Sequence, residues 1–334
     1  SEAFITVAMM AIFAILSLCG FFHVGEIFGA KPVNADVGFL PEGGWKTVFG
    51  SVGTAIWFFI GFEFACPMAE ENKKPYKNIP YALILGLISI YVIDVIFSAA
   101  SVRYTSLDVL TTSAIPHVEA ASAMLGKTGF VMMTMLTILA SFTTANSYCA
   151  ALPRMLYGMS RSNQVPKIFG YINPKTRTPV FGVIFTGIMM MVTIIYIAVN
   201  GANASVVSSL ISVACITWTI SYAIAMIDVL ILRKKYPDYP RLWKAPCAKV
   251  VFPIGIIGVG YAIYTLKDYI FAAVICMLIV ATYCFIWMKI KKIPMFKPEP
   301  LDDIVKDIRD RSEYLEGWDE EVSEWLEGRM AAEL

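Results

Sequence analysis

Long apolar runs alternate with short polar blocks throughout residues 1–298. A helix needs about 20 apolar residues to cross the hydrocarbon core of a bilayer. Eight runs qualify, at about 4–28, 48–69, 80–102, 128–150, 179–199, 206–232, 250–266 and 270–288. Each predicts a membrane-spanning helix, because backbone in lipid must satisfy its N–H and C=O groups within its own segment. The first run lacks a basic leader and a small-residue cleavage site, so it reads as a span rather than a signal peptide. The seventh is short and carries Pro253, Gly255, Gly258 and Gly260, which blur its ends. Residues 115–125 (IPHVEAASAML) have helical spacing behind Pro116 and predict a short amphipathic helix, either lying across the outer mouth or serving as a plain connector. Beyond residue 298 the pattern changes. Leu301, Ile304, Val305 and Ile308 follow helical spacing, as do Leu315, Trp318, Val322 and Trp325. The expected division is therefore a transmembrane domain, 1–298, and an acidic amphipathic cytoplasmic tail, 299–334.

Composition supports a bilayer as the solvent. The chain is 57% hydrophobic and 16% charged, where a soluble domain carries roughly 25% charged residues. The net charge of +1 hides a split. Residues 1–298 hold 23 Lys and Arg against 13 Asp and Glu, and residues 299–334 hold 4 against 13. The basic residues sit in short blocks between apolar runs, so no nucleic-acid partner is expected. One alternate set of loops carries 18 basic residues, and the other carries only Lys31, Lys46, Arg103, Lys127 and Lys267. The positive-inside rule places the richer set in the cytoplasm. That predicts a multi-pass protein of the plasma or inner membrane with both termini of this chain cytoplasmic. Anionic inner-leaflet lipid repels an acidic face, so the tail is expected to dock on the basic loops.

Enzyme chemistry has little to build on. The seven cysteines form no CxxC pair, and the only histidines are His23 and His117. No metal site, cofactor, nucleophile–base pair or phosphate loop is expected.

The informative run is the second, 48–69 (VFGSVGTAIWFFIGFEFACPMA). Glu63 lies near its middle, where a charge costs at least ~2.5–3.5 kcal/mol by insertion scales. Gly61 and Pro67 flank it and weaken helix continuity. Interrupted helix at this depth is tolerated only where it faces protein or a polar cavity. Trp57, Phe58, Phe59, Phe62 and Phe64 crowd the break, and aromatic faces can close on an ammonium group. The alternative is a kinked helix with Glu63 paired for packing. Two polar stripes lie on other spans. Thr134, Thr137, Ser141, Thr144 and Tyr148 share one face of the fourth, and Ser208, Ser212, Cys215, Thr219 and Tyr222 share one face of the sixth. Such stripes line cavities or glue helices together. Asp94, inside the third run, is read as partnering a nearby polar group, with a proton relay as the other possibility. Asp228, beside residues 233–235, is read as an interfacial ion pair.

Three segments carry a family resemblance. Residues 57–63 (WFFIGFE) with 69–80 (AEENKKPYKNIP) resemble the sixth helix and following loop of amino acid–polyamine–organocation (APC) permeases. Residues 153–179 (PRMLYGMSRSNQVPKIFGYINPKTRTP) resemble the loop after their eighth helix, through Arg154, Tyr157, Arg161, Pro166, Thr178 and Pro179. Residues 232–246 (LRKKYPDYPRLWKAP) resemble the loop after their tenth. The resemblance implies an all-α polytopic membrane protein with about 8 transmembrane helices, forming part of the LeuT-type inverted-repeat transporter fold. It covers helices five to twelve; the family's first four helices, with their Gly-rich break, have no counterpart in these residues. It implies substrate contacts from Trp57, the unwound backbone at Ile60 and Gly61, and Glu63; Phe58 at the break and Ser212 on the stripe of the sixth span join them as candidate contacts from the pattern of residues itself. It implies proton or ion coupling through Glu63, Ser141 and Thr144.

The function expected is secondary active transport, by symport or exchange, of amino acids or related amines. A proton or Na+ would be the coupling partner, and membrane lipid the surrounding one. The alternatives are a truncated, non-transporting membrane subunit or remnant, and a polyamine permease. The exact substrate and the oligomeric state are not encoded in these motifs.

Overall fold

The structure is a computed structural model. It describes residues 2–34, 38, 40–41, 43–72, 75–200, 204–237 and 244–293. The amphipathic tail expected at 299–334 lies outside the described residues. Among the described residues the elements are helical, in the order α1 (Glu2–Phe21), α2 (Val24–Ile27), α3 (Trp45–Gly50), α4 (Val52–Ala55), α5 (Pro75–Tyr104), α6 (Leu107–Thr112), α7 (Pro116–Arg161), α8 (Val180–Asn200), α9 (Ala204–Lys235), α10 (Ala248–Thr265) and α11 (Ile270–Lys291). Tight 3-10 turns occupy Ile56–Phe59, Phe62–Glu71, Lys167–Gly170 and Lys267–Tyr269.

Among the described residues, eight of the helical stretches are long and apolar enough to cross a membrane. They coincide in order with the eight expected runs, and their ends differ for local reasons. The first stops at Phe21, short of residue 28, because His23 takes a left-handed conformation (φ 58°) that ends the helix. The third extends to 75–104. The fourth merges with the short helix expected at 115–125, which begins at Pro116 as a proline-led first turn should. The two arms of α7 meet at a break where Leu125 has φ −129° and Gly126 has φ 61°. The second run is not one helix but a chain of short pieces, described below.

The described chain forms two compact units. The first comprises Ser1–Ser51, Ile84–Pro153 and Val183–Ile211. Its core gathers Leu16 from α1, Phe97, Ala100 and Tyr104 from α5, and Val118, Ala121, Met124 and Met133 from both arms of α7. The Phe13 and Phe97 rings meet at 5.1 Å. Across the α7 break, His117 Nε2 and Thr137 Oγ1 lie 3.0 Å apart, fixing the two arms to each other. At the rim, Glu26 Oε1 accepts from Arg103 Nη2 and the Tyr104 hydroxyl, both at 3.0 Å. The Arg103 guanidinium holds the Glu26 carboxyl below its usual range.

Over its described residues, the second unit comprises Val52–Leu83, Arg154–Gly182 and the chain from Ser212 to Ile293. Its core joins Cys215 and Ile216 of α9 to Leu266 and to Ala273 of α11, with Ile56, Trp57 and Ile60 packed against them. Gly53 sets the approach of α4 to α10. A Cβ on Gly53 would lie 2.6 Å from the Ala262 carbonyl oxygen and 2.3 Å from Thr265 Oγ1. Without one, the Gly53 N–H donates to Thr265 Oγ1 at 2.9 Å and its carbonyl accepts from Cys215 Sγ at 3.4 Å.

Candidate functional site

The second span changes conformation four times in twenty residues. After α4 the backbone tightens into the 3-10 turn Ile56–Phe59. Ile60 is then extended, with φ −83° and ψ 142°. Gly61 follows at φ 107°, a conformation that L side chains rarely adopt. The chain re-enters a 3-10 helix, Phe62–Glu71, that contains Pro67. Proline has no N–H to donate to the carbonyl of Glu63, four residues back, so an α-helical bond is unavailable there. A 3-10 run of ten residues is long for that conformation, and such stretches inside a helix mark hinges or strained sequence.

The turn brings Glu63 back over its own backbone. Glu63 Oε2 accepts from the Gly61 N–H at 3.2 Å and from the Tyr222 hydroxyl at 2.6 Å. Glu63 Oε1 accepts from the Trp218 indole N–H. Trp218 and Tyr222 are four residues apart on α9, so both present the same side of that helix. Each is backed by an aromatic from the 3-10 segment. Phe62 lies 5.3 Å from the Tyr222 ring, and Phe64 meets Trp218 edge-on at 5.8 Å. An indole N–H and a backbone N–H can only donate, so this set suits an ionised, acceptor-only carboxylate. All three described partners are neutral. They solvate the charge without cancelling it.

The other residues singled out in the sequence fall as follows. Trp57 and Ile60 pack against the apolar cluster of the second unit, and Phe58 is exposed. Ser212 is buried on α9 in that unit. The polar stripe of α9 is therefore partly packing and partly site, since Cys215 and Thr219 are buried while Tyr222 reaches Glu63. Ser141 and Thr144 belong to the first unit, where both are exposed on α7. Asp94 is half-buried on α5. Trp218 was not anticipated. Its signal was available: two aromatic donors one helical turn apart, in a run that also carries the stripe, are natural partners for a lone carboxylate elsewhere in the bilayer.

Eight candidate spans among the described residues, one of them interrupted around a carboxylate with neutral donors, define a polytopic helical membrane protein. The chain belongs to the amino acid permease family, whose profile matches residues 2–282, within the APC superfamily. It is similar to the branched-chain amino acid permease BcaP of Bacillus subtilis (strain 168), at 25% identity over 261 residues, covering 75% of this chain and 51% of that protein. It is similar to the glutamate/serine transporter AimA of the same organism, at 25% identity over 229 residues, covering 66% of this chain and 41% of that protein. It is also similar to the b(0,+)-type amino acid transporter 1 of Rattus norvegicus, at 25% identity over 225 residues, covering 65% and 43%. The chain spans about half the length of the curated relatives it matches.

Proposed function

We propose that the protein containing this chain is a secondary active transporter, a symporter or exchanger, for amino acids or related amines. The observation that carries this reading is the Glu63 carboxylate, held mid-span at a helix interruption by three neutral donors. A carboxylate has about four lone-pair sites, and among the described residues three are filled. The remaining site and the uncancelled charge favour a cation, whether a substrate ammonium, a proton or Na+. Gly61 supplies the local pivot, because its left-handed conformation joins two short helical pieces that can reorient about it. Trp57, Phe58, Ile60, Gly61 and Ser212 are the proposed substrate contacts. Ser141 and Thr144 remain the proposed ion-coupling hydroxyls, with Glu63 as the proposed coupling carboxylate. The proposed setting is the plasma or inner membrane, with the Arg- and Lys-rich loops cytoplasmic. The two Bacillus subtilis relatives carry different substrates in their names at the same 25% identity, so their likeness supports the class rather than one amino acid.

The test is uptake into proteoliposomes by the complete protein. A panel of labelled branched-chain, acidic and cationic amino acids and a polyamine is offered with an inward proton or Na+ gradient. Gradient-stimulated uptake of at least one amino acid is expected, with Glu63→Gln abolishing the stimulation. Uptake of none of them by folded protein would overturn the transport reading. Undiminished uptake with unchanged pH dependence in Glu63→Gln would remove Glu63 from the mechanism.

A further inference from the structure

The second unit has a polar feature that the transport reading leaves unused. A cavity of about 440 Å³ lies beside the 3-10 segment Phe62–Glu71, with Cys66, Arg154, Tyr157, Arg161 and Arg177 among its lining residues. Three guanidinium groups thus border one cavity. Arg161 lies over the Tyr157 ring, 5.9 Å from its centroid. Arg177 sits in a turn closed by its N–H on the Asn173 carbonyl at 2.7 Å, and the Asn173 N–H in turn donates to the Thr178 carbonyl at 3.0 Å. Guanidinium forks match carboxylates and phosphates in shape as well as charge.

A second contact shows which anion is at hand. Trp287 Nε1, near the end of α11, donates to the Asn163 carbonyl at 2.8 Å. Asn163 is two residues past Arg161, so α11 ends beside the arginine-bearing segment. The sequence after α11 is acidic. Residues 313–327 contain seven Asp and Glu and no Lys or Arg. The intervening stretch is not limiting, because an extended chain advances about 3.3–3.6 Å per residue. Tethering also makes the contact intramolecular, so modest ion pairs give high occupancy.

We propose that residues 313–327 dock on this cavity through Arg161 and Arg177 and cover Cys66. The surface fits this acidic segment through charge complementarity, and the Trp287–Asn163 contact places its point of departure nearby. A lipid headgroup is the competing occupant.

Cys66 is exposed in the structure and reports on the cavity, and exposed Cys247 serves as the control. The experiment measures maleimide modification at each cysteine by peptide mass spectrometry, with the complete protein in zwitterionic nanodiscs. Deleting residues 299–334 is expected to speed modification of Cys66 by about fivefold, the loss of about 80% occupancy, and to leave Cys247 unchanged. About 1 M salt, where the Debye length is ~3 Å, is expected to give the same rise in the intact chain. Paired Arg161→Glu and Arg177→Glu substitutions should match the deletion, and adding Glu320→Lys, Glu321→Lys and Glu324→Lys should restore protection. The tail deletion and the Lys substitutions alone leave the cavity untouched, so they decide the matter if the arginine variant does not fold. An unchanged Cys66 rate after deletion overturns the proposal, as does an equal rise at Cys247. Protection that survives deletion and appears only with anionic lipid assigns the cavity to a headgroup instead.

Discussion

Glu26 in the first unit and Glu63 in the second are both carboxylates with an aromatic hydroxyl donor, yet their settings differ. Glu26 lies at a rim, 35% exposed, with a full counter-charge in Arg103. Arg103 Nε, Arg103 Nη2 and the Tyr104 hydroxyl all converge on its Oε1. Glu63 lies inside a span, and its donors divide between its two oxygens. None of those donors carries a charge. A rim carboxylate with a cation is complete, and water can replace any lost partner. A mid-span carboxylate with neutral donors is positioned but not neutralised, which is the condition for taking a mobile cation. The frames around them differ as well. In the first unit the Ser17 and Ser101 hydroxyls return to their own helices, to the Phe13 and Phe97 carbonyls. The second unit ties separate elements together with polar groups, as Gly53 does to Thr265 and Glu63 to α9.

The sharpest way to break the contrast is Glu63→Ala. Removing the carboxylate strands the Trp218 and Tyr222 donors and releases the Gly61 turn, and each half-buried donor left unpaired costs about 1–3 kcal/mol. The expected outcome is a drop in thermal stability together with loss of uptake. Glu63→Gln cannot rescue the geometry. With donors on both oxygens, an amide must turn its NH2 against an N–H on one side or lose the bonds on the other. Glu26→Ala, by contrast, should leave uptake within about twofold of the parent, since an exposed ion pair contributes little and water can replace the lost partner. Matched losses from the two substitutions would erase the distinction between the two carboxylates.

Next in size is Gly53→Val. A Cβ there overlaps a backbone carbonyl of α10 as well as Thr265, and backbone cannot swing aside as a flexible side chain can. Overpacking of this kind costs typically ~1–3 kcal/mol. Less folded protein recovered after heating, measured by fluorescence-detected chromatography, is the expected result. Unchanged recovery would mean that α4 and α10 yield more readily than their contact implies.

A smaller and more selective effect belongs to Tyr222→Phe and Trp218→Phe. Each deletes one donor to Glu63 while keeping most of the aromatic packing with Phe62 or Phe64. A net loss of about 0.5–1.5 kcal/mol per bond is expected, rising if the acceptor is charged. The informative readout is the pH profile of uptake, which a purely packing role would leave in place. A shifted profile in either variant ties α9 to the carboxylate's function; an unshifted profile in both makes these residues structural supports only.

Most of the fold was legible from the runs of apolar residues, because length alone separates a membrane span from other helices. The interruption was legible too, since Gly61, Glu63 and Pro67 each oppose a continuous apolar helix for a different reason. Its extent was not. A ten-residue 3-10 segment has no distinct periodicity over such a short window, and the expected single run 48–69 resolved into four pieces. His23 ended the first helix early because a left-handed residue leaves no trace in hydropathy. Trp218 escaped notice because its partner is 155 positions away, and no local spacing encodes that pairing. Trp57 attracted attention as an aromatic beside the break, and the structure lays it against the apolar cluster.

The smallest expected effect concerns the acid limb of stability. Arg103, first by hydrogen bonding and then by charge, lowers the Glu26 carboxyl below its unfolded value. For a lowered carboxylate the stabilisation is fully present above the unfolded pKa, ~4.3. It is lost as pH falls through the lowered folded value. Between neutrality and about pH 5 the Glu26 contacts therefore contribute a constant amount, and no slope in thermal stability should come from them. Below about pH 4 the parent should lose stability faster than Glu26→Gln, which has no proton to take up at that position. The difference should shrink in about 1 M salt, because the pair is at the surface and open to screening. Parallel acid limbs for the two proteins would show that Arg103 holds Glu26 no better than water does. The counter-charge would then cease to be what separates the two carboxylates, and burial within the span alone would have to account for the difference.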